Sequence, residues 1–174
     1  SLQTGLGVDG VYIDQISAAA PEPCWNERHD HPVGGGSFWY DGYRRLIGEI
    51  RAHHLLEDRI LTSEENAECY IDLFDMLLVV NTPHEEDNCI IRPVFPMVYS
   101  DRAVTSAFTY TPSEADKMSL GDFRYELAKA LLWGSQIGWV DPVPLMSEQA
   151  VSEARFMKTL TDFRRSLHDV VYGG

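Results

Sequence analysis

Two acids in this chain stand where chemistry is done in proteins built from parallel strands. Asp14 stands at the end of Gly7-Val8-Asp9-Gly10-Val11-Tyr12-Ile13-Asp14-Gln15, and Glu64 closes Arg59-Ile60-Leu61-Thr62-Ser63-Glu64. Each run is apolar or β-branched in its body, which predicts a buried strand, and polar where it stops, which predicts emergence into a site. A carboxylate at the carboxyl end of a parallel strand is placed for catalysis or ligand binding, whereas a structural acid more often caps a helix or faces solvent. Ile90 to Tyr99, followed by Ser100-Asp101, reads as another strand ending in an acid, with only Val94 to Tyr99 free enough of proline to pair. Glu65 and Glu68 compete with Glu64, but an acid there can equally support the N-terminus of a following helix. Gln15 can bind a ligand or order the strand end.

A second group lies in the loop after the first strand, where Cys24 precedes His29-Asp30-His31-Pro32 and Gly34-Gly35-Gly36. Imidazole, thiolate and carboxylate all ligate zinc, so His29 and His31 with Cys24 and Asp14 define a possible metal site. The spacing is not a familiar structural-zinc pattern, and the expectation is that the chain holds no metal and needs no cofactor.

The elements that must position these groups alternate along the chain. Residues 2–4 with Gly5 read as a helix end with its glycine cap. The loop from Ser17 to Gly36, with three prolines, is too long for a mere connector, and such loops are usually functional. Ser37 can cap a helix whose apolar face is Trp39, Tyr43, Leu46, Ile47 and Ile50. A helix is expected over 66–74, a buried third strand over Met76 to Val80, and a polar loop over 81–88. Ser119-Leu120-Gly121-Asp122 has the form of a capping box and opens a helix with Leu120, Phe123, Leu127, Ala130 and Leu131 on one face. Gly134 to Asp141 is the fifth strand. Ser147 then caps a closing helix whose buried stripe is Val151, Ala154, Met157, Leu160, Phe163 or Arg164, Leu167 and Val171.

Composition bounds what these parts can build. The chain has 174 residues, 44% apolar and 24% charged, enough for one core, and neither repeat nor linker divides it, so 1–174 is expected to be a single domain. No apolar run approaches the roughly 20 residues of a membrane span. A formal net charge of -13 offers little to neutralise phosphates, which argues against nucleic acid and anionic membranes as partners. Three widely spaced cysteines, Cys24, Cys69 and Cys89, do not make a disulfide framework. No targeting segment is evident and the chain opens on Ser-Leu-Gln rather than methionine, so the compartment stays open.

Buried strands alternating with helices mean an α/β fold with a helix-covered parallel sheet. A doubly wound dinucleotide-binding sheet would put its glycine-rich turn directly after the first strand, and the glycine triplet here is too distant from Asp14. Acids at successive strand ends favour a (β/α)8 TIM barrel. A closed barrel takes about 250 residues, so the roughly five βα units here form its C-terminal part, with the N-terminal strands supplied by an upstream segment or a second chain.

Gly10-Val11-Tyr12-Ile13-Asp14-Gln15, Cys24, His29-Asp30-His31-Pro32 with Gly34-Gly35-Gly36, and Thr62-Ser63-Glu64 with Asn66-Ala67-Glu68 together resemble the catalytic half of certain bacterial glycoside hydrolase barrels. The nearest groups are the endo-α-N-acetylgalactosaminidase-like enzymes and related barrels, and the likeness covers roughly residues 7 to 101. The resemblance implies a carbohydrate substrate and a retaining mechanism, with Asp14 as nucleophile and Glu64 as general acid/base. Such chemistry needs one ionised and one protonated carboxyl about 5 to 5.5 Å apart. It makes His29, His31, Gln15, Glu65 and Asp101 candidate ligands of sugar hydroxyls. Trp25, Tyr99 and Trp139 become candidate platforms for a sugar ring, while Trp39 belongs on a buried helix face. Two other readings are a non-catalytic carbohydrate-binding barrel and a metal-dependent hydrolase using the His29/His31 loop.

Overall fold

β1 (Gly10–Ile13) and β2 (Ile60–Glu64) run parallel, with Gly10 opposite Ile60, Val11 opposite Leu61, Tyr12 opposite Thr62 and Ile13 opposite Ser63. A glycine at the start of this pairing leaves room for the Ile60 side chain. A Cβ at position 10 would lie 2.5 Å from Ile60 Cγ1, a separation that real side chains do not adopt. With β3 (Met76–Val79), β4 (Val104–Phe108) and β5 (Gln136–Gly138), these strands form a five-stranded parallel sheet in the order β1-β2-β3-β4-β5. The computed structural model describes Gly5 and residues 7–54, 59–79, 92–108, 120–138, 140 and 142–167. The helix end expected at 2–4, the polar loop 81–88, Ser119, Trp139, Asp141 and Val171 lie outside the described residues. The chain divides within β3 into two compact units, Ser1–Leu77 and Leu78–Gly174.

In the first unit, helix α1 (Phe38–His54) follows the long loop. Ser37 opens it, its carbonyl accepting the Asp41 N–H at 2.8 Å and its hydroxyl donating to the Asp41 carboxylate at 2.5 Å. Ile47 is fully buried and Trp39, Tyr43 and Ile50 are half-buried, but Leu46 is exposed. At 100° per residue, Leu46 falls off the face that Ile47 centres, which corrects the sequence assignment. The helix expected over 66–74 is instead a 3₁₀ turn, Glu68–Tyr70, followed by a non-helical turn. The segment is short, and it must return Asp75 to β2, where its N–H donates to Leu61 O at 2.9 Å and its carboxylate accepts Leu61 N–H at 2.7 Å. Arg51 donates to Leu73 O and to that same carboxylate, and Arg44 forks onto both oxygens of Asp72, so α1 is tied to the turn at two heights. Between these ties the buried Tyr70 ring packs on Tyr40 and Tyr43.

In the second unit the expected strand Val94 to Tyr99 is a helix, α2 (Val94–Tyr99). Pro93 sits at its N-cap and Pro96 in its first turn, where the missing N–H costs no helical bond. The fourth strand lies further on, at Val104–Phe108, in a stretch the sequence had not marked as regular. Helix α3 (Leu120–Leu132), a short helix α4 (Pro142–Leu145), a 3₁₀ turn (Glu148–Ala150) and helix α5 (Val151–Ser166) complete the unit. Its core is Phe123 and Leu127 of α3 with Leu145 and Ala150, covered by Ile137, Ala154, Phe156, Met157 and Leu160. The expected stripe on α5 holds at Ala154, Met157 and Leu160, which pack on this core, and fails at Val151. Val151 and Phe163 are exposed, Arg164 is the buried member of its pair, and Glu153 is buried beside Arg124 at 2.5 Å. The Ser147 hydroxyl donates to Pro144 O instead of capping α5.

Candidate active site

Because Ile13 stands opposite Ser63, the next residues along each strand, Asp14 and Glu64, leave the sheet side by side. Side chains alternate along a strand, so Tyr12 and Asp14 share one face, and the Tyr12 hydroxyl donates to Asp14 Oδ1 at 3.1 Å. Gln15 Nε2 donates to Glu64 Oε2 at 2.5 Å. Beneath them the Ser17 N–H donates to Ser63 Oγ at 3.3 Å, a buried contact that fixes the chain leaving β1 against β2.

Both strands end in the same unusual way. Gln15 has φ 64° and Glu65 has φ 65°, a left-handed conformation that costs non-glycine residues of order 1–3 kcal/mol. Around Gln15 the cost is met by a tight set of backbone bonds: Ile16 N–H to Asp14 O at 2.9 Å, and Ala18 and Ala19 N–H to Gln15 O at 3.1 and 2.7 Å. Each backbone thus turns away one residue after its carboxylate.

The electrostatics follow from this packing. Burial, and then the Asp14 charge and hydrogen bonding with Asp14, push the Glu64 carboxyl above its ordinary value, and Glu65 adds to the push. A hydrogen bond from the Gln15 backbone opposes it. Burial and the bond to Asp14 likewise raise the Tyr12 phenol, with the surrounding carboxylates adding to it, so Tyr12 stays a donor. Burial and the neighbouring carboxylates thus act in the same direction on Glu64, favouring its neutral form.

Of the residues named from sequence, the structure brings Asp14, Gln15, Glu64 and Glu65 together. Cys24, His29 and His31 form a separate cluster, each able to present one donor atom with all three within 4.8 Å of one another. An antiparallel bridge between Cys24 and Gly34 pinches this loop closed. Trp25 is 74% exposed with its ring against Gly34, where a Cβ would stand 3.2 Å from it. Cys24, Trp25, His29, His31, Phe38 and Trp39 line an open cleft of about 750 Å3.

Tyr99 and Asp101 do not stand at a strand's carboxyl end. They close α2 and lead into β4 from its amino end, which removes the strand-end argument made for them. Trp139 lies outside the described residues. Tyr12 was not named as a site residue, although its place two residues before Asp14 on the same strand face was the signal that could have found it.

An α/β chain with a carboxyl pair over adjacent parallel strand ends is thus defined. Residues 1–110, which carry β1, β2, both acids and the histidine loop, match the family described as a domain of unknown function, DUF6259, and the chain belongs to that family. It is 48% identical over 171 residues to a Bacteroides thetaiotaomicron protein named "Putative glycoside hydrolase", covering 98% of this chain and 25% of that protein. A Monosiga brevicollis protein named "Putative glycoside hydrolase 22789" is 32% identical over 142 residues, covering 80% of this chain and 12% of that protein. The chain therefore spans a quarter or less of these relatives' lengths.

Proposed function

We propose that this chain carries the catalytic carboxyl pair of a retaining glycoside hydrolase, and that its sheet is part of a (β/α)8 barrel completed by strands beyond it. The observation that carries the reading is that Asp14 and Glu64 follow directly on the paired residues Ile13 and Ser63 at the ends of β1 and β2, with Glu64 held toward its neutral form. A close carboxyl pair suits retention, whereas inversion needs a gap wide enough for a water. The names borne by the two relatives agree with a carbohydrate substrate.

In the first step Asp14, ionised, attacks the anomeric carbon. The glycosidic C–O bond breaks as Glu64 gives its proton to the departing oxygen. In the second, Glu64 takes a proton from water, the water oxygen bonds to the anomeric carbon, and Asp14 is released. Tyr12 occupies Asp14 Oδ1 and so leaves Oδ2 to attack. Gln15 holds Glu64 Oε2 and orients the acid. Trp25 offers an exposed ring for the apolar face of a sugar, and His29 and His31 stand in the same cleft. The experiment is turnover of aryl α- and β-glycosides by the full natural polypeptide. Undiminished activity in Asp14→Asn or Glu64→Gln, or sugar binding without turnover in the unaltered protein, would refute the assignment.

A further inference from the structure

The loop cluster points to a second site with different chemistry. We propose that Cys24, His29 and His31 bind one zinc ion, which staples the loop between β1 and α1 and keeps one coordination position open to the cleft. One thiolate and two imidazoles form a donor set that suits zinc and discriminates against magnesium and calcium, which take oxygen ligands.

The spacing of the donors fits. Tetrahedral zinc with Zn–S of about 2.3 Å and Zn–N of about 2.05 Å holds sulfur and nitrogen about 3.6 Å apart. Cys24 Sγ and His29 Nδ1 are 3.2 Å apart, so a small separation of the two side chains admits the ion. The atom from His31 lies within 4.8 Å of the others and closes in by at most about 1.4 Å to reach the roughly 3.4 Å that two zinc-bound nitrogens adopt.

The outer contacts orient the rings as metal-binding histidines require. His31 Nδ1–H donates to Pro32 O at 2.9 Å, which leaves the Nε2 lone pair for the ion. The His31 ring is stacked on Phe38 at 4.0 Å and 11°, which fixes its plane against the first residue of α1. His29 Nε2 lies 2.9 Å from the Asn26 side-chain amide. When Nδ1 takes the ion, the His29 proton sits on Nε2, and the amide turns end for end to accept it. The Arg28 N–H, now bonded to Asn26 Oδ1 in an exposed turn, then bonds to water. The Cys24 backbone is already fixed by its two bonds to Gly34, at 3.1 and 2.7 Å. Binding releases the thiol proton to solvent and changes no oxidation state.

The test does not depend on hydrolysis, so the site and the proposed function can fail separately. Untagged protein is equilibrated with zinc, dialysed against metal-free buffer and analysed for metal. About one equivalent per chain is expected, and the cobalt form should show an intense near-ultraviolet sulfur-to-cobalt band. Cys24→Ser should lose that band and His31→Ala should weaken binding by roughly a hundredfold, with both variants keeping wild-type far-ultraviolet circular dichroism. Zinc should also slow alkylation of Cys24 by iodoacetamide, read by peptide mass mapping that separates it from Cys69 and Cys89. Less than about 0.2 equivalent retained, unchanged binding in both variants, or alkylation of Cys24 indifferent to zinc would overturn the proposal. The last result would mark Cys24 and His29 as a hydrogen-bonded pair alone.

Discussion

The carboxyl pair and the histidine loop follow the same strand, yet they are positioned by opposite means. Asp14 and Glu64 are placed by sheet register: once Gly10 meets Ile60, backbone bonds carry the alignment to the strand ends without help from the loop. Cys24, His29 and His31 belong to no helix or strand, and side-chain contacts with one isolated bridge set their arrangement. The first kind of site is rigid before any ligand arrives. The second rests on side-chain contacts within the loop, and the two should answer differently to the same perturbations.

The largest effects fall on the rigid site. Asp14→Asn should lower kcat/KM by roughly 10⁴-fold or more, and Glu64→Gln by roughly 10²–10⁴-fold, measured on aryl glycosides with the full polypeptide. Zinc stoichiometry should be unchanged in both. Next in size is Gly10→Val, which forces β1 from β2; it should cut turnover by at least roughly tenfold through a misplaced Asp14 while the loop still takes up metal. If instead it abolished zinc binding and left turnover intact, the division drawn between the two regions would be wrong.

Smaller effects sharpen the electrostatics. Asp14→Asn removes the charge beside Glu64 but not its burial, so the Glu64 carboxyl, followed by 13C NMR, should titrate lower than in the wild type while staying above an ordinary glutamate. The sign for stability follows. A carboxyl raised in the folded state binds its proton more tightly there than in the unfolded chain, so stability falls as pH climbs from the ordinary glutamate value through the raised one. Glu64→Gln should therefore raise Tm at neutral pH, with the gain vanishing in acid. Smallest is Glu65→Gly, which relieves a left-handed residue and should shift stability by about 1 kcal/mol or less in the favourable direction, measured by urea unfolding.

Much of this arrangement is legible in the chain because burial and polarity change sharply where strands stop. The runs ending at Asp14 and Glu64 show that step, and so they were found together with β3 and β5. β4 escaped because its buried residues include Thr105 and Ser106, which an apolar pattern does not register; Thr105 Oγ1 is satisfied by Ser135 Oγ at 2.7 Å. Val94 to Tyr99 misled in the reverse sense, since valine, phenylalanine and tyrosine favour strands while two prolines at a helix start do not forbid a helix. The stripe on α5 was read correctly at Ala154, Met157 and Leu160, but periodicity did not mark the buried Glu153, which is paired with Ser152 and Arg124. At the site, residue types and strand ends could be read from sequence. The bond from Tyr12 to Asp14 and the approach of Cys24 to His29 depend on rotamers and on a bridge that no local pattern encodes.

The matched left-handed residues at 15 and 65 narrow what engineering could attempt beside the acids. A randomised library at these positions should return glycine, asparagine and aspartate, and exclude valine, isoleucine and threonine whatever benefit their side chains might bring to a substrate. Selectivity would then have to be altered from the loop, away from Gly34 and Gly36, whose φ of 93° and 105° imposes the same filter.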